Sequence, residues 1–150
     1  RFFIIKSDNE TNVYSALKWG VWTSSEKGNL RLDAAIRSNY GLGQVLLFFS
    51  VTGTGKFCAV AEMASTVDQE AQLSIWVGGR RGCRRFDVKW VFVKDVPMSR
   101  LRHIIVANNE GRDVTHSRDT QELYPQAGFQ MLEAFNSFRS STGMLHSGQM

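Results

Sequence analysis

The stretch that decides the fold is Gln44–Met63, with the sequence QVLLFFSVTGTGKFCAVAEM. It holds two apolar runs, Gln44–Val51 and Lys56–Met63, joined by the turn sequence TGTG at residues 52–55. Two β-forming runs separated by a short glycine-containing turn are typical of an antiparallel hairpin. We therefore expect two paired strands in the middle of the chain.

The segment before this hairpin predicts one strand and two helices. The strand covers Arg1–Lys6, where four successive β-forming residues occur. The first helix is predicted by apolar residues at helical spacing, Val13, Ala16, Leu17 and either Gly20 or Val21, with capping residues near its start. The second helix is expected to end at Gly41. Its apolar face would carry Leu32, Ala35, Ile36 and Tyr40.

The segment after the hairpin predicts three strands and a final helix. The strands cover Leu73–Trp76, Phe86–Val93 and His103–Ala107. The helix begins near Pro125, a residue that suits a first helical turn. The strand Phe86–Val93 is expected to carry on one face Phe86, Val88, Trp90 and Phe92. Residues expected to form the apolar stripe of the helix are Met131, Leu132, Phe135 and Phe138.

These patterns together predict an α/β fold. Strands and helices do not alternate regularly, so a doubly wound parallel sheet is not expected. We expect a single domain over residues 1–140, with a mostly antiparallel, barrel-like mixed sheet packed by helices. The polar residues 141–150 are predicted to form a frayed C-terminal tail.

Composition and charge restrict the class of protein. The chain has 150 residues, a net charge of +4 and no apolar run long enough to span a membrane. Its two cysteines, Cys58 and Cys83, are too few for a disulfide framework or a cysteine-rich zinc site, and they fit a reducing compartment. A glycine-rich segment, GGRRGCRR at residues 78–85, concentrates four arginines. Because guanidinium groups so close together repel one another, this segment favours an anionic partner such as nucleic acid.

Catalytic motifs are missing from the sequence. It has no Gly-x-Ser-x-Gly, P-loop or Gly-x-Gly-x-x-Gly pattern, and its three histidines have no metal-ligand spacing. His116 and Asp119 could form a base and its orienting partner, but no nucleophile accompanies them, and a surface loop is the favoured interpretation. The sequence predicts a protein that is not an enzyme and needs neither a metal nor a cofactor.

Two tryptophans stand beside polar or basic segments. Trp22 precedes Thr23-Ser24-Ser25, and Trp76 comes just before the arginine-rich segment. Burial in the core explains each one taken alone. As a pair next to basic residues, they are suited to stacking on the bases of single-stranded RNA.

Several motifs of the chain, in order, resemble the YTH domain family. They are RFFIIKS (1–7), GVWTS (20–24), GNLRL (28–32), FFSV (48–51), FDVKW (86–90) and SRDTQE (117–122). The similarity runs from Arg1 to about Phe138 and is greatest to the cytoplasmic branch, including its fungal members. The resemblance implies a module that binds N6-methyladenosine in single-stranded messenger RNA through an aromatic cage.

The resemblance also implies roles for individual residues. Trp22 and Trp76 would be walls of the cage, since an N-methyl group favours the face of an indole. The backbone carbonyl of Thr23 would accept the hydrogen left on N6. The residues expected at the edge of the base are Asn12, Thr23, Ser7 and Asp8. The residues expected along the RNA backbone or beside a neighbouring base are Lys6, Arg31, Arg81, Arg118 and Asp119.

One position departs from the family pattern. Gly82 stands where the family usually has a third cage wall, a Trp, Tyr or Leu. An alternative function is therefore the binding of unmodified RNA, driven by sequence or charge. In either case the expected partner is single-stranded RNA, with no membrane involved. We expect a monomeric domain of a longer protein that acts in the cytoplasm or, alternatively, the nucleus.

Overall fold

A six-stranded mixed sheet with three α-helices forms the fold in the computed structural model, which describes residues 1–68 and 84–144. The strands are β1 (Phe2–Ser7), β2 (Val21–Trp22), β3 (Leu46–Val51), β4 (Lys56–Met63), β5 (Phe86–Pro97), β6 (Ile105–Val106), β7 (Arg112–Asp113) and β8 (Glu122–Leu123). The α-helices are α1 (Glu10–Trp19), α2 (Glu26–Ser38) and α3 (Pro125–Ser137). Short 3₁₀ helices cover Met98–Arg100 and Val114–His116.

The order of strands in the main sheet is β2-β5-β4-β3-β1-β8, and β6 and β7 form a separate ribbon. The predicted hairpin is confirmed, because β3 and β4 pair antiparallel from Leu46↔Glu62 onward. Among the described strands only β1 and β3 are parallel, so the sheet is mixed and mostly antiparallel, as expected. A parallel pair needs a long crossover, and here α1, β2 and α2 supply it.

Each face of the sheet has its own hydrophobic core. Alternate residues of β1 separate cleanly, with Phe3 and Ile5 in the first cluster and Phe2 and Ile4 in the second. This is the two-residue period of a strand that is buried on both sides. Helices α1 and α2 cover the first cluster, and α3 covers the second together with Leu101, Ile104 and Val106.

The predicted common face of the strand from Phe86 is wrong at Phe92. Val60 pairs with Phe92 and Ala61 pairs with Trp90, so Val91 is an extra residue on β5. Such a β-bulge reverses the direction of every following side chain. Trp90 therefore contacts Phe49 in the first cluster, whereas Phe92 packs near Phe135 in the second.

The ends of the first two helices also differ from the prediction. Helix α1 stops at Trp19 because Gly20 takes a left-handed conformation (φ 68°), and Val21 begins β2 instead of continuing the helix. Helix α2 stops at Ser38 with Asn39 as its C-cap. Tyr40 lies beyond that cap and is 90% exposed, so it is not part of the apolar face.

Two further predictions concern the later part of the chain. Of the strand expected at residues 103–107, only Ile105–Val106 is extended, and it pairs with β7. The predicted tail begins at residue 141, but its described residues pack on the sheet. Asp95 N donates to Thr142 O (3.2 Å), and Met144 is buried in the first cluster. The strand predicted at residues 73–76 lies outside the described residues, as do residues 145–150.

Candidate nucleic-acid interface

The aromatic side chain at the centre of the predicted site is Trp22, on the edge strand β2. It is only 3% exposed and belongs to the first core cluster. Its ring lies 5.0 Å from that of Phe49 at an interplanar angle of 90°. The core thus fixes the indole firmly, and almost none of its surface is open to solvent.

The backbone after Trp22 is oriented by its pairing with β5. Val88 N donates to the Gly20 carbonyl (2.9 Å), and Trp22 pairs with Phe86. Thr23 directly follows the last residue of β2 that pairs with β5 and is itself buried.

Asp119 joins the three segments that surround the site. Its Oδ1 accepts a hydrogen bond from Lys6 N (2.9 Å), and its Oδ2 accepts one from the Ser24 hydroxyl (2.5 Å). Thr120 N in turn donates to the Ile4 carbonyl (2.7 Å). These bonds hold the loop after β7 against both β1 and the residues that follow β2.

Close packing at the start of α2 completes this network. An ideal Cβ on Gly28 would lie 2.2 Å from Ser24 Oγ and 2.8 Å from Thr120 Cγ2. Only glycine therefore lets the helix approach Ser24 and Thr120 so closely. Arg31, one turn further along, donates from Nη1 to Thr120 Oγ1 (3.0 Å).

The basic residues of the site do not all lie together. The Lys6 ammonium lies 5.3 Å from the centre of the Phe57 ring, on the face of the second cluster, and burial lowers the pKa of Lys6. The Trp22 ring belongs to the other face. Arg31 and Arg118 are exposed, and no carboxylate in residues 1–68 or 84–144 forms an ion pair with either. These two guanidinium groups can donate hydrogen bonds to a phosphate.

The residues predicted at the base edge lie where β1 passes into α1. The Ser7 hydroxyl donates to Asn9 O (2.7 Å), and Asn9 caps the helix by accepting from Asn12 N (2.9 Å). Asn12 is buried and Asp8 is exposed. Ser7 therefore already has a structural role in forming the turn. Trp76, Arg81 and Gly82 lie outside the described residues.

Ser24 and Asn29 are the site residues that the sequence reasoning quoted without assigning a role. Asn29 is 7% exposed; its Oδ1 accepts from Ser24 N (2.8 Å) and its Nδ2 donates to Thr23 Oγ1 (3.1 Å). A polar pair such as Ser24-Ser25 followed by Gly-Asn at the start of a helix was the available signal. The described part of the site thus combines a buried indole with two exposed guanidinium groups, residue types that suit a flat base attached to a phosphate backbone.

Comparison with known proteins identifies the family of the chain. The family model described as a YT521-B-like domain (YTH) matches residues 1–136, so the chain belongs to the YTH family. It is 49% identical over 145 residues to human YTH domain-containing family protein 2 and 47% identical to human YTH domain-containing family protein 3. Each alignment covers 96% of this chain, but the chain spans only 25% and 24% of these relatives' lengths.

Two solved structures share the fold. One is the YTH domain of Zygosaccharomyces rouxii MRB1 in complex with N6-methyladenosine RNA, at a TM-score of 0.87 and 37% identity. That match covers 94% of this chain and 90% of the other. The second is the Pho92 YTH domain in complex with m6A, at a TM-score of 0.90 and 35% identity, covering 97% and 89% of the two chains. The mixed α/β fold expected from the sequence is confirmed by both.

No described helix is long and apolar enough to cross a membrane; this holds for residues 1–68 and 84–144. Within the same ranges, no group of three or more His, Cys, Asp or Glu side chains is arranged to hold a metal ion. Cys58 is buried, and burial together with nearby Asp95 raises the pKa of its thiol to about 12. Cys58 is thus a small buried side chain within β4.

Proposed function

We propose that this domain binds single-stranded RNA and recognises N6-methyladenosine within it, without catalysing a reaction. The observation that carries the proposal is that two solved YTH domains with the same fold, at 37% and 35% identity, are complexes with N6-methyladenosine RNA and with m6A. Family membership over residues 1–136 extends this argument to nearly the whole domain.

In this proposal Trp22 and Trp76 form walls on either side of the methylated base. The Thr23 carbonyl accepts the remaining N6 hydrogen, which a dimethylated amine could not supply. Asn12, with Ser7 and Asp8, lies at the edge of the base. The rigid core contact of Trp22 with Phe49 supports its role, because a fixed indole loses no freedom when a base stacks on it.

The backbone of the RNA would pass over the basic residues. Arg31 and Arg118 are exposed and suited to phosphate contact, and Arg81 would extend the same groove. Lys6 would contact a phosphate at the end of β1. Asp119 would lie beside a neighbouring base; its two oxygens already accept bonds from Lys6 N and Ser24, which supports a role in shaping the groove.

The wider setting is also a proposal. The relatives are about four times as long as this chain, which supports a domain within a longer protein; we propose that this domain, residues 1–140, is monomeric. Residues 141–144 would belong to the domain as well, because they pack on its sheet. We propose that it acts on messenger RNA in the cytoplasm, with the nucleus as the alternative.

The experiment that tests the function is a fluorescence-anisotropy titration with two short RNAs that differ in one N6-methyl group. Burying one methyl-sized group is worth roughly 0.8 kcal/mol, so we expect at least about fourfold tighter binding of the methylated RNA. Equal affinity for both RNAs would contradict the proposal and favour binding of unmodified RNA.

Two variants make the titration more specific. Arg118→Ala should weaken binding of both RNAs alike and reduce the dependence of affinity on salt, since one phosphate contact is lost. Leu30→Ala is a control, because Leu30 is 65% exposed on α2 and has no proposed RNA contact. Arg118→Ala with unchanged affinity and salt dependence would remove Arg118 from the interface.

A further inference from the structure

Helix α2 bonds to the residues that follow Trp22 and to both flanks of the segment 69–83, which contains Trp76 in sequence. Asn29 holds the Trp22 side through Thr23 Oγ1 and Ser24 N, as described above. The same amide nitrogen also donates to the Arg84 carbonyl (3.5 Å), which comes at the end of the segment that contains Trp76. One buried side chain therefore connects the strand end after Trp22 with the chain on the far side of Trp76.

Asp33 makes the matching contact one helical turn later. Its Oδ1 accepts from Val67 N (2.9 Å), which comes before the Trp76 segment, and its Oδ2 accepts from Arg37 (2.8 Å). Burial raises the pKa of Asp33, but the hydrogen bonds from Arg37 and Val67 outweigh it and the pKa is lowered overall. Residues four apart lie on the same side of a helix, so Asn29 and Asp33 present one bonding face.

The two flanks of the segment 69–83, both of which α2 contacts, are also bonded to each other. Asp68 N donates to Arg85 O (2.7 Å), and the two residues form an isolated antiparallel bridge. Residues 67–68 and 84–85 thus form a bridge between the two flanks of the segment 69–83. Helix α2 bonds to each flank through one side chain. Trp76 lies in sequence between these two flanks.

We propose that Asn29 and Asp33 are positioning residues, which set the placement of the Trp22–Ser24 segment relative to the bridge formed by residues 67–68 and 84–85. They thereby determine the preference for the methylated nucleobase. The inference rests on the proposed function. Recognition of one methyl group requires the contacting groups to be held within about half an ångström, and side chains locked by hydrogen bonds provide that constraint. Neither Asn29 nor Asp33 is assigned an RNA contact.

The test compares the affinities for methylated and unmethylated RNA, expressed as a ratio. Asn29→Ala and Asp33→Ala should each lower the ratio at least threefold, while binding of the unmethylated RNA changes less. Asp33→Asn keeps an acceptor for Val67 N and should restore most of the ratio. Thr23→Val removes one of the Asn29 bonds with little change of shape, and it replaces Asn29→Ala if that variant does not fold.

Two controls separate positioning from general stability. Arg37→Ala removes the ion pair with Asp33 but leaves the bond to Val67, so its ratio should equal that of the native chain. Ile104→Val lowers stability from the other face of the sheet and should also keep the ratio. Folded Asn29 and Asp33 variants with the native ratio would overturn the positioning role alone. A native chain with no methyl preference would overturn the proposed function and this role with it.

Discussion

A single methyl group added at Gly28 should disrupt the network around Asp119. In Gly28→Ala the new Cβ would approach Ser24 Oγ to 2.2 Å and Thr120 Cγ2 to 2.8 Å, well inside normal contact distance. Ser24 cannot move away without leaving Asp119, to which its hydroxyl donates. Overpacking of this kind costs about 1–3 kcal/mol, and the loss of a hydrogen bond to a charged group costs about 1.5–3 kcal/mol.

The usual effect of this substitution has the opposite sign. Replacing glycine by alanine within a helix stabilises it by up to about 1 kcal/mol. We therefore expect Gly28→Ala to lower the free energy of unfolding by a net of about 2–4 kcal/mol. Urea denaturation measures this directly, with Leu30→Ala as a control on the exposed side of the same helix.

RNA binding provides the second measurement on the Gly28 variant. Displacement of Ser24 shifts the residues that follow Trp22, so affinity for methylated RNA should fall even where the variant is fully folded. A Gly28→Ala protein that is as stable as the native chain and binds RNA equally well would refute the close packing of α2 against Ser24 and Thr120.

Three further predictions concern other parts of the molecule. Trp22→Ala should lower the free energy of unfolding, measured by urea denaturation, by about 3–5 kcal/mol because Trp22 is 3% exposed. Trp22→Phe should lower it less. Variants as stable as the native chain would contradict the place of Trp22 in the core. The lowered pKa of Asp33 means that its carboxylate stabilises the fold above its ordinary pKa of 3.8 and that this contribution is lost as the pH falls through the folded-state value. The unfolding free energies of the native chain and Asp33→Asn should therefore converge at low pH, and a constant difference would contradict the shift. In a Cys83→Ser background, Cys58 should react with a thiol reagent at pH 8 only on unfolding, because burial raises the pKa of its thiol to about 12; rapid reaction of the folded protein would contradict this.

Local patterns in the sequence predicted most of the regular elements. The hairpin of β3 and β4 followed from two apolar runs and a glycine turn, and α3 followed from Pro125 and its apolar stripe. The direction of Phe92 could not be predicted, because the bulge at Val91 depends on how β5 pairs with β4. The parallel pairing of β1 with β3 also joins segments that are distant in sequence.

The candidate site was predictable in its residue types more than in its geometry. The motif resemblance named Trp22, Lys6 and Asp119, but it did not indicate that the Lys6 side chain lies against Phe57 or that Asp119 bonds to Ser24. Those contacts arise from packing between β1, α2 and the loop near residue 119. A pattern of neighbouring residues carries no information about such contacts.

The position of β1 inside the sheet has a consequence for synthesis on the ribosome. Of the described strands β1 is synthesised first, yet one of its neighbours is β8, and Lys6 bonds to Asp119 more than a hundred residues later. Contacts so distant in sequence raise the contact order and slow folding. The nascent domain cannot complete its described sheet until Leu123 has emerged, so the segments around Asp119 assemble only after β1 to β7 have been synthesised.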